Sequence, residues 1–140
     1  MLKYTEMSIT HYEEAHQLWE KAEGVYLTNA DSKKSIKKYL ERNPGMSFVC
    51  IEEKEKKMVG ALLCGNDGRR GIIYHLVVHP TFRNRSVGKT LTQLSLKKLK
   101  EAGIERCFAL VRVDNKTGNE FWSKTGWNKK PESGLYLINL

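Results

Sequence analysis

The chain has 140 residues, about 40% of them hydrophobic, and a formal net charge of +8 from 24 Lys and Arg against 16 Asp and Glu. This size suits one domain with one core, and the composition argues against disorder. No apolar run reaches the roughly 20 residues of a membrane-spanning helix, and the first residues lack the apolar core of a signal peptide. We therefore expect a single cytoplasmic domain over residues 1–140.

The positive charge would suit a polyanion such as nucleic acid, an anionic membrane or a phosphorylated cofactor. Much of it lies in scattered runs such as residues 54–57, which are typical of a solvated surface. The sequence has neither a helix-turn-helix signature nor paired zinc ligands, so it does not favour nucleic acid as a partner. The cysteines have no CxxC pair and no histidine cluster beside them, which predicts no metal and buried thiols at Cys50, Cys64 and Cys107.

The first third of the chain predicts two helices. After a short first strand, Thr10 could cap a helix running to about Ala22, with apolar residues at helical spacing. Asp31 or Ser32 could cap a second helix to about Arg42, and Asn-Pro-Gly at residues 43–45 would end it.

The apolar spacing then changes to that of strands. Residues 47–52 and 58–64 predict a hairpin, and the near-continuous apolar run at residues 72–78 predicts a strand covered on both faces. A helix over residues 88–102, a buried strand over 107–113, a short helix over 116–124 and a last strand over 135–139 follow. A strand, helix and strand in this order form a right-handed crossover that makes the strands parallel neighbours. The expected fold class is therefore α/β, with a mixed sheet between helices.

The segment between the strand at residues 72–78 and the next helix predicts an anion site. The first turn of a helix presents unpaired backbone N–H groups, and its dipole favours negative charge. Small residues at Ser86 and Gly88 would let a diphosphate approach the backbone, and Arg83, Arg85 and Lys89 add positive charge. The alternative is an ordinary strand–helix turn with solvated arginines.

The same segment resembles the acetyl-CoA loop of the GNAT superfamily of N-acetyltransferases, whose pattern is Arg/Gln-x-x-Gly-x-Gly/Ala. Arg83 matches the first position and Gly88 the last, whereas Ser86 stands where the middle glycine is usual. A serine is tolerable there with a negative φ and strained otherwise. Residues 114–127 resemble the family's later element, Asn-x-x-Ala-x-x-Phe-Tyr-x-x-x-Gly-Phe, through Asn115, Phe121, Gly126 and Trp127.

This resemblance implies that acetyl-CoA lies in a gap where the strands at residues 72–78 and 107–113 splay apart. Backbone groups of Leu76, Val77 and Val78 would bond the pantetheine and the acetyl carbonyl. Asn115 would face the pantetheine arm, a role compatible with capping a helix, and Trp122 would pack against the cofactor or the core. The pyrophosphate would be held by backbone N–H groups of Arg83, Asn84, Arg85, Ser86, Val87, Gly88 and Lys89.

Acetyl transfer to an amine also needs an acid and a base. Many GNAT members use a tyrosine as the acid where this chain has Trp122, so Tyr136, Tyr26 or a bound water remain open. The positions that correspond to the family's base are Tyr74 and His75, which strand alternation would place on opposite faces. His75 could relay the amine proton near neutral pH or be an ordinary hydrogen-bonded histidine of the sheet.

The expected acceptor is a primary amine of a small molecule or a protein, taken near residues 24–29 and Asp67. Asp67 could attract the ammonium group or form an Asx-turn. With no nucleophile beside a base, we expect direct transfer from a ternary complex. The alternatives are a non-catalytic acyl-CoA sensor and an acetyltransferase of tRNA-linked or ribosomal-protein amines. An exposed strand edge near residues 135–140 could pair two chains into a homodimer.

Overall fold

The computed structural model describes all 140 residues, which group into two compact units, Met1–Leu110 and Val111–Leu140. The single domain expected from the sequence stays a prediction. The first unit contains strands β1 (Leu2–Glu6), β2 (Phe48–Glu52), β3 (Lys57–Asn66), β4 (Gly71–Val78) and β5 (Cys107–Ala109) and helices α1 (Tyr12–Lys21), α2 (Lys33–Arg42) and α3 (Val87–Glu101). The second unit contains one helix, α4 (Lys116–Lys124). No helix is both long enough and apolar enough to span a bilayer.

The five strands form one mixed sheet in the order β1-β2-β3-β4-β5. The first four pair antiparallel, including the hairpin of β2 and β3 that the sequence predicts. β4 and β5 pair in parallel, as the crossover through α3 requires. These observations confirm the expected α/β fold.

The parallel pair of strands extends over only three residues, because β5 ends at Ala109. β5 pairs with β4 only along Gly71–Ile73, although β4 continues to Val78 and remains paired with β3 on its other side. The edge of β4 that faces away from β3 therefore has no strand partner over its last five residues, 74–78. This unpaired edge corresponds to the gap beside the strand at residues 72–78 that the family resemblance implies.

Helices cover both faces of the sheet. On one face, Trp19 of α1 and Ile36 of α2 pack with Ala61, Leu63 and Val77 in a buried cluster. On the other face, α3 lies so close to the strands that two glycines are needed. A Cβ added at Gly71 would lie 2.6 Å from Leu99 Cδ1, and one at Gly60 would lie 2.9 Å from Val87 Cγ1.

The helix ends follow local hydrogen bonding. The expected cap at Thr10 is wrong, because a 3-10 turn at Ile9–His11 precedes α1 and the Ser8 backbone N–H donates to His11 Nδ1 at 3.0 Å. The Ser32 hydroxyl caps α2 by accepting from the Ser35 N–H at 3.2 Å. The expected end of α2 at residues 43–45 is confirmed, with Gly45 at a φ of +78°.

Two expectations for the C-terminal part are wrong. β5 ends at Ala109 rather than at residue 113, and Phe108 and Leu110 are about half exposed rather than buried. Residues 135–139 form no strand. Their side chains are exposed, so the strand edge suggested for a homodimer is absent.

Candidate functional site: the open edge of β4 and the loop before α3

The loop between β4 and α3 presents a set of unpaired backbone donors. The first backbone hydrogen bond of α3 runs from the Thr90 N–H to the Ser86 carbonyl at 2.9 Å. The N–H groups of Val87, Gly88 and Lys89 consequently make no hydrogen bond within the protein. Unpaired N–H groups at the N-terminus of a 15-residue helix, at the positive end of its dipole, can hold a phosphate group.

The backbone before the helix is also shaped as a concavity. Asn84 and Ser86 have φ values of +63° and +62°, with Arg85 between them at negative φ. Alternation between left-handed and other conformations turns successive N–H groups to one side, in the arrangement called a nest that binds anions. The backbone of the loop therefore has a shape that suits an anion, as its charge does.

The charged side chains of this loop divide into two groups. Arg85 and Lys89 are exposed beside the unpaired N–H groups, and the Arg85 guanidinium lies 5.1 Å from the centre of the Phe82 ring. Arg83 turns back instead, because its Nε donates to the Val78 carbonyl at 3.3 Å. Arg83 thus occupies the end of β4, and Arg85 and Lys89 supply the positive charge at the start of α3.

Ser86 has the strained conformation that its replacement of glycine would suggest. Its φ of +62° and ψ of +17° are left-handed, and its hydroxyl makes no capping bond to the helix. A residue with a Cβ costs roughly 1–2 kcal/mol in this region. The negative φ that would make serine easily tolerated is therefore not present.

A β-bulge interrupts β4 at the two candidate base residues. The register passes from Leu63 opposite Tyr74 to Ala61 opposite Val77, so β4 contains one extra residue between these pairs. His75 takes up the extra length with a φ of +52°. Strand alternation fails here, and the expectation that Tyr74 and His75 lie on opposite faces is wrong. Both contact the layer formed by α1 and α2.

His75 is held by three contacts on that face. Its Nε2 lies 2.7 Å from Asp31 Oδ1, its ring centre lies 5.2 Å from that of Trp19, and its carbonyl accepts from Trp19 Nε1 at 3.1 Å. The His75 side chain is 16% exposed and that of Asp31 is 9% exposed. The other ring nitrogen, Nδ1, has no protein partner and is open to solvent.

Asp31 is the residue of this site that sequence reasoning missed. The sequence suggested it only as a helix cap, and 44 positions separate it from His75, so no local spacing relates the two. Its second carboxylate oxygen accepts from the Thr28 N–H at 3.0 Å, and its carbonyl accepts from the Tyr12 hydroxyl at 2.6 Å. These bonds hold both the carboxylate and the backbone carbonyl of Asp31 in place.

Tyr74 is the more exposed of the two candidates. Its ring packs edge-on against Tyr39, with 6.4 Å between the ring centres, and partial burial raises its pKa above the usual value for tyrosine. A base must lose its proton near working pH, which this shift disfavours. Of the two residues, His75 fits the role of a base better.

The carboxylate of Asp67 is committed to a turn. Its Oδ1 accepts from the N–H groups of Arg69 and Arg70, each at 2.8 Å, and these bonds hold the pKa of the carboxyl below its ordinary value. The Asx-type turn expected from the sequence is thus confirmed.

Asn115 and Trp122 belong to the second compact unit. Asn115 Oδ1 accepts from the Gly118 N–H at 3.0 Å, which confirms it as the cap of α4. The Trp122 ring packs on Trp127, with 4.6 Å between the ring centres. Their contribution to cofactor binding stays a prediction.

The cysteines lack the chemistry of a nucleophile. Cys50 and Cys64 are buried, whereas Cys107 is only partly buried. Burial raises the pKa of Cys64 to about 12 and that of Cys107 to about 11. Nucleophilic cysteines act as thiolates with lowered pKa values, so neither thiol is suited to accept an acyl group.

The chain is an α/β protein with unpaired backbone N–H groups at the start of α3 and an unpaired strand edge on β4. Comparisons with known proteins identify its family. The sequence model of the Acetyltransferase (GNAT) family matches residues 10–127. An acetyltransferase of Sodalis glossinidius (strain morsitans) is 34% identical over 104 residues, which cover 74% of this chain and 71% of that protein. An acetyltransferase of Yersinia enterocolitica is 35% identical over 104 residues, with coverage of 74% and 72%.

Solved structures show the same fold at lower identity. Ard1 from Thermoplasma volcanium superposes with a TM-score of 0.77 at 21% identity, over 89% of this chain and 81% of that one. PaiA N-acetyltransferase from Thermoplasma acidophilum, solved in complex with coenzyme A, gives a TM-score of 0.77 at 18% identity, over 96% and 94%. The chain belongs to the acetyltransferase (GNAT) family.

Proposed function

We propose that this protein is an acetyl-CoA-dependent N-acetyltransferase that transfers the acetyl group directly to a primary amine of a small molecule or protein. The observation that carries the proposal is an unpaired strand edge on β4, followed along the chain by unpaired N–H groups at the start of α3. The strand edge of this surface suits an extended amide-containing chain, and the helix N-terminus suits a diphosphate.

The residues along this surface would divide the binding between them. Backbone groups of Leu76, Val77 and Val78 would pair with the pantetheine amides, as a neighbouring strand would. The N–H groups of residues 87–89, with Arg85 and Lys89, would hold the pyrophosphate. Acetyl-CoA supplies the activated acetyl thioester when bound. A backbone N–H of β4 directed at the acetyl oxygen would stabilise the negative charge that develops there.

His75 would take the proton from the attacking amine. An imidazole that is held in place by a carboxylate and has its other nitrogen without a protein partner can accept a proton. The high pKa values of the cysteines support direct transfer, because a covalent acyl-enzyme would need a thiolate or another activated nucleophile. The leaving sulfur can be protonated by water.

The test is turnover of the purified chain with acetyl-CoA and a panel of primary amines. Free thiol would be followed continuously, and the amide product would be identified by mass spectrometry. We expect thiol release that depends on one class of amine, with initial-rate lines that intersect as both substrates are varied. Parallel lines would indicate a covalent acyl-enzyme and contradict direct transfer.

A variant with His75→Gln separates binding from catalysis. We expect turnover to fall by about 10²-fold, the lower end of the usual range for a general base, with little change in the KM for acetyl-CoA. An acyl-CoA sensor would bind acetyl-CoA and release no thiol with any amine. That result would contradict the proposed activity.

A further inference from the structure

We infer that Asp31 is a positioning residue for His75 and that it determines which ring nitrogen serves as the base. The inference rests on the proposed function, since it concerns the same proton transfer. In brief, the Asp31 carboxylate binds the Nε2–H of His75 and thereby leaves the lone pair on Nδ1.

The polarity of the contact determines which ring nitrogen carries the hydrogen. A carboxylate only accepts hydrogen bonds, so the 2.7 Å contact between Asp31 Oδ1 and His75 Nε2 requires the hydrogen to be on Nε2. A neutral imidazole carries one N–H, and its Nδ1 must then hold the lone pair. Nδ1 is the nitrogen without a protein partner and open to solvent.

Surrounding contacts hold Asp31 and His75 in place. The Thr28 N–H fixes the other oxygen of Asp31, and the Tyr12 hydroxyl fixes its carbonyl. The Trp19 indole holds the His75 carbonyl at the bulge, where φ is +52°. A left-handed φ is uncommon for a residue other than glycine and is maintained only when surrounding contacts enforce it. Turning the Asp31 side chain away would break its bonds to His75 and Thr28, and turning the His75 ring away would break its bond to Asp31 and its packing on Trp19.

The Asp31 carboxylate also faces the charge that forms during the reaction. As the amine nitrogen bonds to the acetyl carbon, its proton passes to Nδ1, and the electron pair of the broken C–S bond leaves with sulfur. The imidazolium that results carries positive charge 2.7 Å from the Asp31 carboxylate. An opposite charge at this distance stabilises the protonated ring as it forms.

The structure also provides a substitution that reverses the tautomer. In Asp31→Asn, the Thr28 N–H still needs an acceptor, so the amide oxygen should take the position of Oδ2. The NH₂ group then takes the position of Oδ1 and donates to Nε2. His75 must accept at Nε2 and carry its hydrogen on Nδ1, which removes the lone pair from the open side.

The experiment combines two readouts on the wild type, Asp31→Asn and Tyr12→Phe. Long-range ¹H–¹⁵N NMR of labelled histidine reports which nitrogen carries the hydrogen, without substrate or acetyl-CoA. Steady-state kinetics with an amine acceptor give kcat and KM. Tyr12→Phe is the matched control, since it removes a bond to the same turn and leaves the carboxylate in place.

We expect the Nε2–H tautomer in the wild type and in Tyr12→Phe, and the Nδ1–H tautomer in Asp31→Asn. We also expect Asp31→Asn to lower kcat on the order of 10²-fold, as His75→Gln does, with an unchanged KM for acetyl-CoA. The double variant Asp31→Asn/His75→Gln should have a kcat no lower than that of His75→Gln alone.

Three outcomes would overturn the inference, and only the third also overturns the proposed function. If His75→Gln lowers turnover while Asp31→Asn keeps it, Asp31 does not position the base and the proposed function stands. The same conclusion follows if His75 has the same tautomer in the wild type and in Asp31→Asn. If the wild type turns over no amine, the proposed function fails, and the catalytic role of Asp31 fails with it even where the tautomer changes as expected.

Discussion

Replacing Ser86 with glycine should stabilise the protein. Ser86 is at a φ of +62°, where a side chain costs roughly 1–2 kcal/mol, and its hydroxyl makes no capping bond that glycine would lose. Glycine has more conformational freedom to lose on folding, which offsets about 0.5–1 kcal/mol of the gain. The expected net effect is a rise of about 0.5–1 kcal/mol in the free energy of unfolding.

The assay is urea unfolding of the wild type, Ser86→Gly and Ser86→Val, supported by thermal melts. For a chain of this length, the stabilised variant should melt about 2–4 °C higher. Valine should destabilise the protein by at least about 1 kcal/mol, because a β-branched side chain is least compatible with a left-handed backbone. If the glycine variant is less stable than the wild type, or if valine is neutral, Ser86 is not strained.

Two further predictions concern packing and charge outside the loop. Gly71→Ala should cost about 1–3 kcal/mol, because the new methyl would lie 2.6 Å from Leu99 Cδ1. A double-mutant cycle with Leu99→Ala should show strong coupling, and additive effects would contradict the clash. Asp67→Asn should destabilise the protein near pH 7, since backbone N–H bonds hold the pKa of the native carboxyl below its ordinary value of 3.8. This contribution is present above pH 3.8 and is lost as pH falls through the native pKa, so a difference between the two proteins that persists unchanged at low pH would refute it.

The sequence predicted the features that depend on local periodicity. The two N-terminal helices, the hairpin and the parallel pair of strands all follow from apolar spacing and turn residues, and the structure confirms them. The capping role of Asn115 was also predicted correctly, because it depends on a contact with a residue three positions away.

Features that depend on distant contacts or on missing partners were not predictable in this way. The bulge at His75 breaks strand alternation through one extra residue, and its contact with Asp31 joins positions 44 residues apart. Apolar residues at 110–113 and 135–139 suggested strands, but apolar character alone provides no neighbouring strand. For Ser86, the family resemblance indicated that a serine at this position would be strained if its φ were positive. The φ of +62° in the structure shows that it is positive.

The central claim is that acetyl-CoA binds through the loop at the start of α3. Calorimetric titration with acetyl-CoA should compare the wild type with Lys89→Glu and with Lys97→Glu, a matched charge reversal at an exposed position farther along the same helix. A glutamate in the first turn is compatible with the helix dipole, so Lys89→Glu should fold normally.

We expect micromolar binding by the wild type and by Lys97→Glu, and binding weaker by at least about tenfold, or roughly 1.4 kcal/mol, for Lys89→Glu. The absence of binding by the wild type, or equal weakening by both substitutions, would contradict the assignment of this loop as the acetyl-CoA site.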